Sequence, residues 1–412
     1  MSAHEERKEL RRLGKEVASH FTSNPKFKFV GHAGLGRHGG TLILSEEASA
    51  EQEARHIIIK YSYGSLSPDK KSDADEDLRN EYRWLKRLRG AEHIGQLIDL
   101  ADCSLLIPGL SDGEDTYEES VQRQKDEEAA ADDGSQPPTA APVRRCPTFA
   151  LEYLTYGTMW NFHLKLFRSG QLWIPSRLLW RIWLCMVRQC VGMAFPPDIP
   201  DDEYVGQVIR EVMQDKPYSS IAQNSSHAEN FMFSVAADLP GNEHEPDLPM
   251  VKIIDFGRGK IEDGEAAQRR LPENIVEYAS KKNLFGAAQV MMRLCCVYTI
   301  EEDSFNIRRS TVPYTWTDAS GSHTIQTRAP DVIIQNAIVD PQLRHLLVRI
   351  MAHPYASKPS LRDVLNETEI AITHGPDHPG LLTENAALLG VFETDYCVES
   401  FMQHWLYDAP ES

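Results

Sequence analysis

The feature that constrains this chain most is a spacing. Asp255-Phe256-Gly257 follows directly on the apolar run Val251-Lys252-Ile253-Ile254, and 25 positions upstream Asn230 heads a second run, Phe231-Met232-Phe233. A three-residue match by itself is a common accident. A carboxylate ending one apolar strand and an amide opening another, in this order, is harder to explain by chance. Both groups offer hard oxygen donors of the kind that suits Mg²⁺.

Three further constellations precede this pair. Gly31-His-Ala-Gly34-Leu-Gly36-Arg-His-Gly39-Gly40 lies between two β-like runs, Lys28–Val30 and Thr41–Leu44. Residues without side chains let backbone N–H groups approach phosphate oxygens, although a flexible hairpin loop reads the same way. Gly34, Gly36 and Gly39 form one register of the loop, and a second puts Ala33 at the middle glycine position. Next, Lys60 ends the run His56–Lys60, and Glu81 falls in a helical pattern over Asp75–Arg89 with Leu78, Tyr82, Leu85 and Leu88 on one face. An ammonium there can reach α- and β-phosphates while the carboxylate orients it; the bland alternative is a surface ion pair. Third, Glu152-Tyr153-Leu154 follows the apolar run from Thr148 and precedes Gly157, which suits a backbone hinge along an adenine edge or simply a core strand and its turn.

The rest of the chain organises around these points. Residues 1–26 are charged, with Leu10, Leu13 and Val17 at helical spacing, and predict a short amphipathic helix leading into the domain, an N-terminal helical extension. Residues 27–154 predict an antiparallel sheet with one helix, including apolar runs near Ile94–Ile98 and Ser104–Ile107. Within that span, 111–142 carries ten acidic residues against two basic ones and a Pro137-Pro138 pair, and is expected to be a disordered acidic insertion.

Residues 155–368 are expected to be mainly helical. Leu178–Val191 reads as a core helix, Asp201–Gln214 as an amphipathic one on the spacing of Val205, Val208, Ile209, Val212 and Met213, and further helices are expected at Asn283–Leu294 and Pro341–Ala352. A hairpin is expected at Tyr314–Thr327 around Asp318–Gly321, and 369–412 forms a C-terminal extension.

The net charge of −18 argues against non-specific binding to nucleic acid or to a membrane surface. No run approaches the roughly 20 apolar residues of a membrane span, and the charged N-terminus lacks the apolar stretch of a secretion signal. Seven cysteines without a C-x-x-C pair support neither a disulfide framework nor a zinc site. The expectation is an intracellular protein, cytoplasmic or nuclear, with protein partners.

Taken in order, the five constellations resemble the protein kinase superfamily over about residues 27–368. Leu343–Met351 with Lys358-Pro-Ser360 is similar to the closing helices of that fold, with lysine where arginine is usual. Asn283–Met291 is similar to its central helix, with asparagine in place of the opening aspartate. Gln223-Asn-Ser-Ser-His-Ala-Glu-Asn230 and His244-Glu245 resemble a group of fungal kinase-like proteins. The resemblance implies an α+β, two-lobed fold: a small antiparallel N-lobe sheet with one helix, and a mainly helical C-lobe. It implies ATP and Mg²⁺ as ligands, Gly31, Gly34, Gly36 and Gly39 over the phosphates, Lys60 as the phosphate lysine and Glu81 as its partner. Leu151 becomes the gatekeeper, Glu152 and Leu154 the hinge, and Asn230 and Asp255 the metal ligands.

The pattern is broken where catalysis would need it. The position five residues before Asn230, where an active kinase carries its base aspartate, is Ser225. A hydroxyl has no useful basicity at neutral pH, so a contribution of roughly 10²- to 10⁴-fold is lost. His227 occupies the place of a cation that often meets the transferred phosphate and is the one candidate for partial compensation. Only residues 256–282 separate Asp255 from Asn283, with no Ala-Pro-Glu motif among them. The expectation is a nucleotide-binding pseudokinase that acts as a signalling or scaffold module. The alternative is an active serine/threonine kinase or small-molecule phosphotransferase with a non-standard catalytic loop.

Overall fold

The computed structural model describes residues 3–36, 39–48, 53–62, 68–100, 148–200, 202–234, 249–271, 274–297, 310–374 and 393–407. The expected acidic insertion at 111–142, the run Ser104–Ile107 and His244-Glu245 lie outside the described residues. The architecture is α+β, and the chain divides into two compact units. One comprises 1–86, 96–153 and 256–258; the other comprises 87–95, 154–255 and 259–412.

The first unit is a five-stranded antiparallel sheet with helices α1 (Ala3–Thr22) and α2 (Pro68–Leu88). Its strands are β1 (Phe27–Leu35), β2 (Gly39–Glu46), β3 (Arg55–Ser62), β4 (Leu97–Ile98) and β5 (Thr148–Glu152), in the order β1-β2-β3-β5-β4. Alternation sets the faces, because successive side chains of a strand point to opposite sides. Leu42 and Leu44 of β2 and Ile57, Ile59 and Tyr61 of β3 form one buried face with Leu13, Val17, Ala18 and Phe21 of α1. The residues between them, Ile58 and Lys60, therefore point to the other face. The leading helix forms over the residues where the sequence predicts an amphipathic helix, and its apolar stripe covers the sheet.

The second unit is mainly helical. Helix α3 (Met159–Ser169) starts at Thr158, whose hydroxyl accepts from the Asn161 N–H at 3.1 Å, and ends at Gly170 in the left-handed region (φ 75°). Helix α4 (Ser176–Ala194) is buried on nearly every side, as the sequence expects, and packs on α6 (Tyr278–Cys295), α9 (Leu361–His374) and strand β8 (Met250–Ile253). Arg188 sits inside this helix without an unmet charge, donating to the Glu211 carbonyl and the Glu369 carboxylate, both at 2.6 Å.

Short ladders pair β6 (Ile221–Ala222) with β9 (Lys260–Ile261) and β7 (Phe231–Ser234) with β8. The hairpin β10 (Val312–Asp318) and β11 (Gly321–Thr327) turns at Asp318–Gly321 as expected. Helix α8 (Pro341–Ile350) is capped by Asp340, which accepts from Gln342 and Leu343 N–H. Between these elements lie the short helices α5 (Glu265–Arg270) and α7 (Asp331–Ile334).

One expected helix, Asp201–Gln214, does not form: the described residues 202–214 are irregular. Gly206 takes φ 83°, Ile209 pairs with Ala91 in a bridge, and Glu211 turns inward to His93, so residues spaced for a helix serve separate contacts. Val205 is 87 % exposed.

The C-terminal extension packs into the second unit. Helix α10 (Asp395–Met402) buries Val398, Phe401 and Met402. Just before it, the Glu393 carboxylate accepts the N–H of Ser176 at 2.6 Å and of Arg177 at 3.0 Å, capping α4, whose own N-cap position is Pro175 and supplies no side-chain acceptor. No helix among the described residues is long and apolar enough to cross a membrane.

Candidate functional site

In the first unit Lys60 and Glu81 meet. The β3 alternation sends Lys60 away from the α1 face, and its Nζ lies 2.5 Å from Glu81 Oε2 on α2. Glu81 is 2 % exposed and Lys60 22 %. Burying a carboxylate this deeply is costly unless a cation answers it, so the pair is a built feature rather than a chance surface contact. Tyr82 of α2 packs against Phe149, the β5 residue opposite Lys60, which fixes the helix on this face.

The glycines separate into two groups. Strand β1 runs through Gly31 and Gly34, with irregularities in register between Phe29 and Gly31 and between His32 and Gly34, so these two are strand residues and not loop residues as the sequence reading has them. The turn is tighter, closed by the Gly36 N–H donating to the Gly39 carbonyl at 2.8 Å. A Cβ on Gly39 would collide with the Tyr61 carbonyl of β3, which explains that glycine by strand packing alone. At Gly31 a Cβ would meet nothing, and at Gly36 only an ordinary contact, so the fold does not require glycine there.

Leu151 and Glu152 end β5. Leu151 pairs with Ile58 and Leu97, and the Glu152 carboxylate accepts the Gln96 N–H at 2.8 Å, which anchors the strand end. Leu154 is buried in the second unit, and the division of the chain falls between Tyr153 and Leu154.

The second unit brings Asn230 and Asp255 together. Phe231 of β7 pairs with Ile253 of β8, and the Asn230 carbonyl accepts the Ile254 N–H at 2.8 Å, so both residues stand at the same end of one ladder. Asp255 has φ 65°, a left-handed conformation that aspartate tolerates better than most residues and that is often stored at functional positions. The Asn230 amide donates to the Ser225 carbonyl at 2.8 Å and to its Oγ at 3.3 Å. With the amide nitrogen so engaged, Oδ1 is the atom with which Asn230 can ligate a cation. The Asp-Phe-Gly triplet itself is divided: Phe256 is fully buried, and the Gly257 carbonyl accepts from Asn80 of α2 within the first unit.

Two residues do more than sequence reasoning assigned to them. Gln223, named above only as the first residue of the loop that runs to Asn230, is fully buried. Its Oε1 accepts the Ser225 N–H at 2.8 Å, and its Nε2 donates to the Asp255 carbonyl at 2.7 Å and the Ser225 carbonyl at 3.2 Å. Asn283 of α6 accepts the Gln223 N–H at 3.1 Å and donates to the Ile221 carbonyl at 2.8 Å. The clue was available in residue chemistry: an amide both donates and accepts, so glutamine and asparagine at these two positions can bridge opposite backbone groups.

His227 faces outward. Its side chain is 52 % exposed, and the nearest carboxylate is Glu229 at 3.9 Å, itself 66 % exposed. Glu229 is the only carboxylate from Gln223 to Asn230. Ser225 is thus held by the Gln223 and Asn230 amides and the His227 N–H, with no acid beside it in the loop sequence.

The donor set fits the implied ligands chemically: a carboxylate and an amide oxygen for Mg²⁺, and a buried-stem ammonium with its carboxylate partner for phosphate oxygens. No family model matches the chain, and no curated protein matches it.

Proposed function

We propose that this chain is a catalytically impaired member of the protein kinase superfamily that binds a Mg²⁺-nucleotide, ATP above all, and works as a signalling or scaffold module through protein partners. The observation that carries the reading is the contrast at Ser225. The residues suited to holding phosphate and metal are kept in ordered, hydrogen-bonded settings, while the position that would accept the acceptor's proton has a hydroxyl bonded to Asn230. Lys60, oriented by Glu81, would meet phosphate oxygens, and Asn230 and Asp255 would hold the ion. Magnesium supplies charge neutralisation of the phosphates when bound.

A second reading is an active phosphotransferase, of the serine/threonine kinase or small-molecule type. It is favoured by the retained Lys60–Glu81 pair, since positioning and electrostatics supply most of the catalysis of phosphoryl transfer. One experiment separates the two. Thermal stability of the full chain is followed with ATP, with and without Mg²⁺, alongside transfer of labelled phosphate to the chain itself and to a broad acceptor panel. The pseudokinase reading expects Mg²⁺-dependent stabilisation that Asp255→Ala removes, and no transfer. Transfer that Asp255→Ala abolishes would establish the second reading, and a flat response to ATP and ADP would sink both.

A further inference from the structure

Within the second unit a cavity of about 410 Å³ is lined by Arg269 and Arg270 of α5, Arg328 after β11, Lys358 before α9, and the rings of Phe285 and Tyr355. Its size falls in the range of small-molecule pockets, about 300–1,000 Å³. Among the described residues no acidic side chain lines it. Of the described carboxylates nearby, Glu265 lies 3.9 Å from the exposed Arg269 on the helix surface, and Glu277 pairs with Lys281 at 3.4 Å.

Two observations indicate that Arg328 and Lys358 lack an answering charge among the described residues. Arg328 Nε is buried and has no hydrogen-bond partner. Lys358 is 5 % exposed, and its Nζ donates to the Ile350 carbonyl at 2.6 Å and lies 4.3 Å from the Phe285 ring centre, neutral or π contacts rather than a carboxylate. Burial, and then repulsion from Arg328 and Lys281, pulls its ammonium down to about 7. Several cations sharing one wall are costly to keep together, and a bound dianion removes that cost while giving Arg328 Nε an acceptor.

We propose that this cavity is a binding site for a phosphomonoester group, with the phosphoryl oxygens on Arg328, Lys358 and the α5 arginines and the organic part against Phe285 and Tyr355. The guanidinium fork matches phosphate oxygens bidentately, and the aromatic walls leave room for a carbon skeleton that inorganic phosphate would not use. The site shares no residue with the nucleotide reading and stands or falls without it.

The test titrates the full-length chain by calorimetry with inorganic phosphate, phenyl phosphate and an N-acetyl phosphoserine amide. Binding of phenyl phosphate about tenfold tighter than inorganic phosphate is expected, with Arg328→Met weakening it about tenfold or more. Lys60→Met should leave it unchanged, which keeps the candidate nucleotide residues out of the result. Arg269 is 74 % exposed, so Arg269→Gln tests the site without disturbing the core; a loss of about threefold is expected there. Tighter binding of the phosphoserine amide than of phenyl phosphate assigns the source to a phosphorylated side chain, and the reverse to a free metabolite; either supports the site. No binding of any of the three probes, or binding that Arg328→Met and Arg269→Gln both leave intact, would overturn it.

Discussion

The Lys60–Glu81 pair and the loop from Gln223 to Asn230 hold their shapes by opposite means. The first is a charged contact between a strand and a helix, built by burying a carboxylate that then demands its ammonium. The second is a net of neutral amides: Asn283 holds Gln223, Gln223 holds Ser225 and the Asp255 carbonyl, and Asn230 holds Ser225. The difference teaches that loop geometry and loop chemistry are separable. Amides preserve a backbone path as well as ions do, because backbone groups need donors and acceptors, not charge. Phosphates and metal ions do need charge, and Lys60, Glu81 and Asp255 are charged residue types.

If the pair is built by burial, removing one member should cost most. Lys60→Met is expected to lower unfolding free energy by about 3 kcal/mol, toward the low end for buried pairs since Lys60 is a fifth exposed, and Lys60→Met with Glu81→Leu should recover most of it. Urea denaturation of the three proteins checks this, and a single variant as stable as the parent would reduce the pair to an ordinary surface contact.

The amide net should yield next. Asn283→Ala leaves the Gln223 N–H and the Ile221 carbonyl without their partner, and the expected loss is about 2 kcal/mol. Hydrogen exchange should speed at Gln223 and Ser225 while α4 stays protected; uniform loss across the second unit would mean that the net is not a local device.

The smallest effect belongs to the residue that most decides the functional reading. Ser225 is gripped through its backbone N–H and carbonyl, and its hydroxyl takes part only in a long 3.3 Å contact. Ser225→Ala should therefore change stability by less than about 0.5 kcal/mol and leave Mg²⁺-ATP affinity unaltered. A large drop in affinity would show that the hydroxyl itself takes part in the site.

Much of this was legible in the residues. The alternation of Leu42 and Leu44, the all-round apolar character of Leu178–Val191, and the order Lys60, Glu81, Asn230, Asp255 are local or near-local signals, and each residue stands in the element its pattern predicts. What stayed hidden depends on distant partners. Leu13 and Val17 have helical spacing, but nothing nearby in sequence says that the face they make covers Leu42 and Ile57. Val205 to Met213 have helical spacing too, yet Ile209 pairs with Ala91 and Glu211 binds His93, contacts that outweigh periodicity. Gly39 looked like part of a phosphate loop because its steric reason, the Tyr61 carbonyl, lies on another strand.

The cap that Glu393 places on Ser176 spans 217 positions of chain. At the usual pace of synthesis, about 5–20 residues per second, the ribosome finishes that stretch roughly ten to forty seconds after Ser176 is made. Once Asp255 has been added, every candidate ligand from Lys60 onward is joined to the growing polypeptide, while the start of its most buried helix still lacks these two acceptors until Glu393 follows. A premature stop between codons 256 and 392 would thus yield a product carrying the full ligand set and an unfinished α4. For a quality-control protease, that exposed helix start would distinguish the abortive product from the finished one.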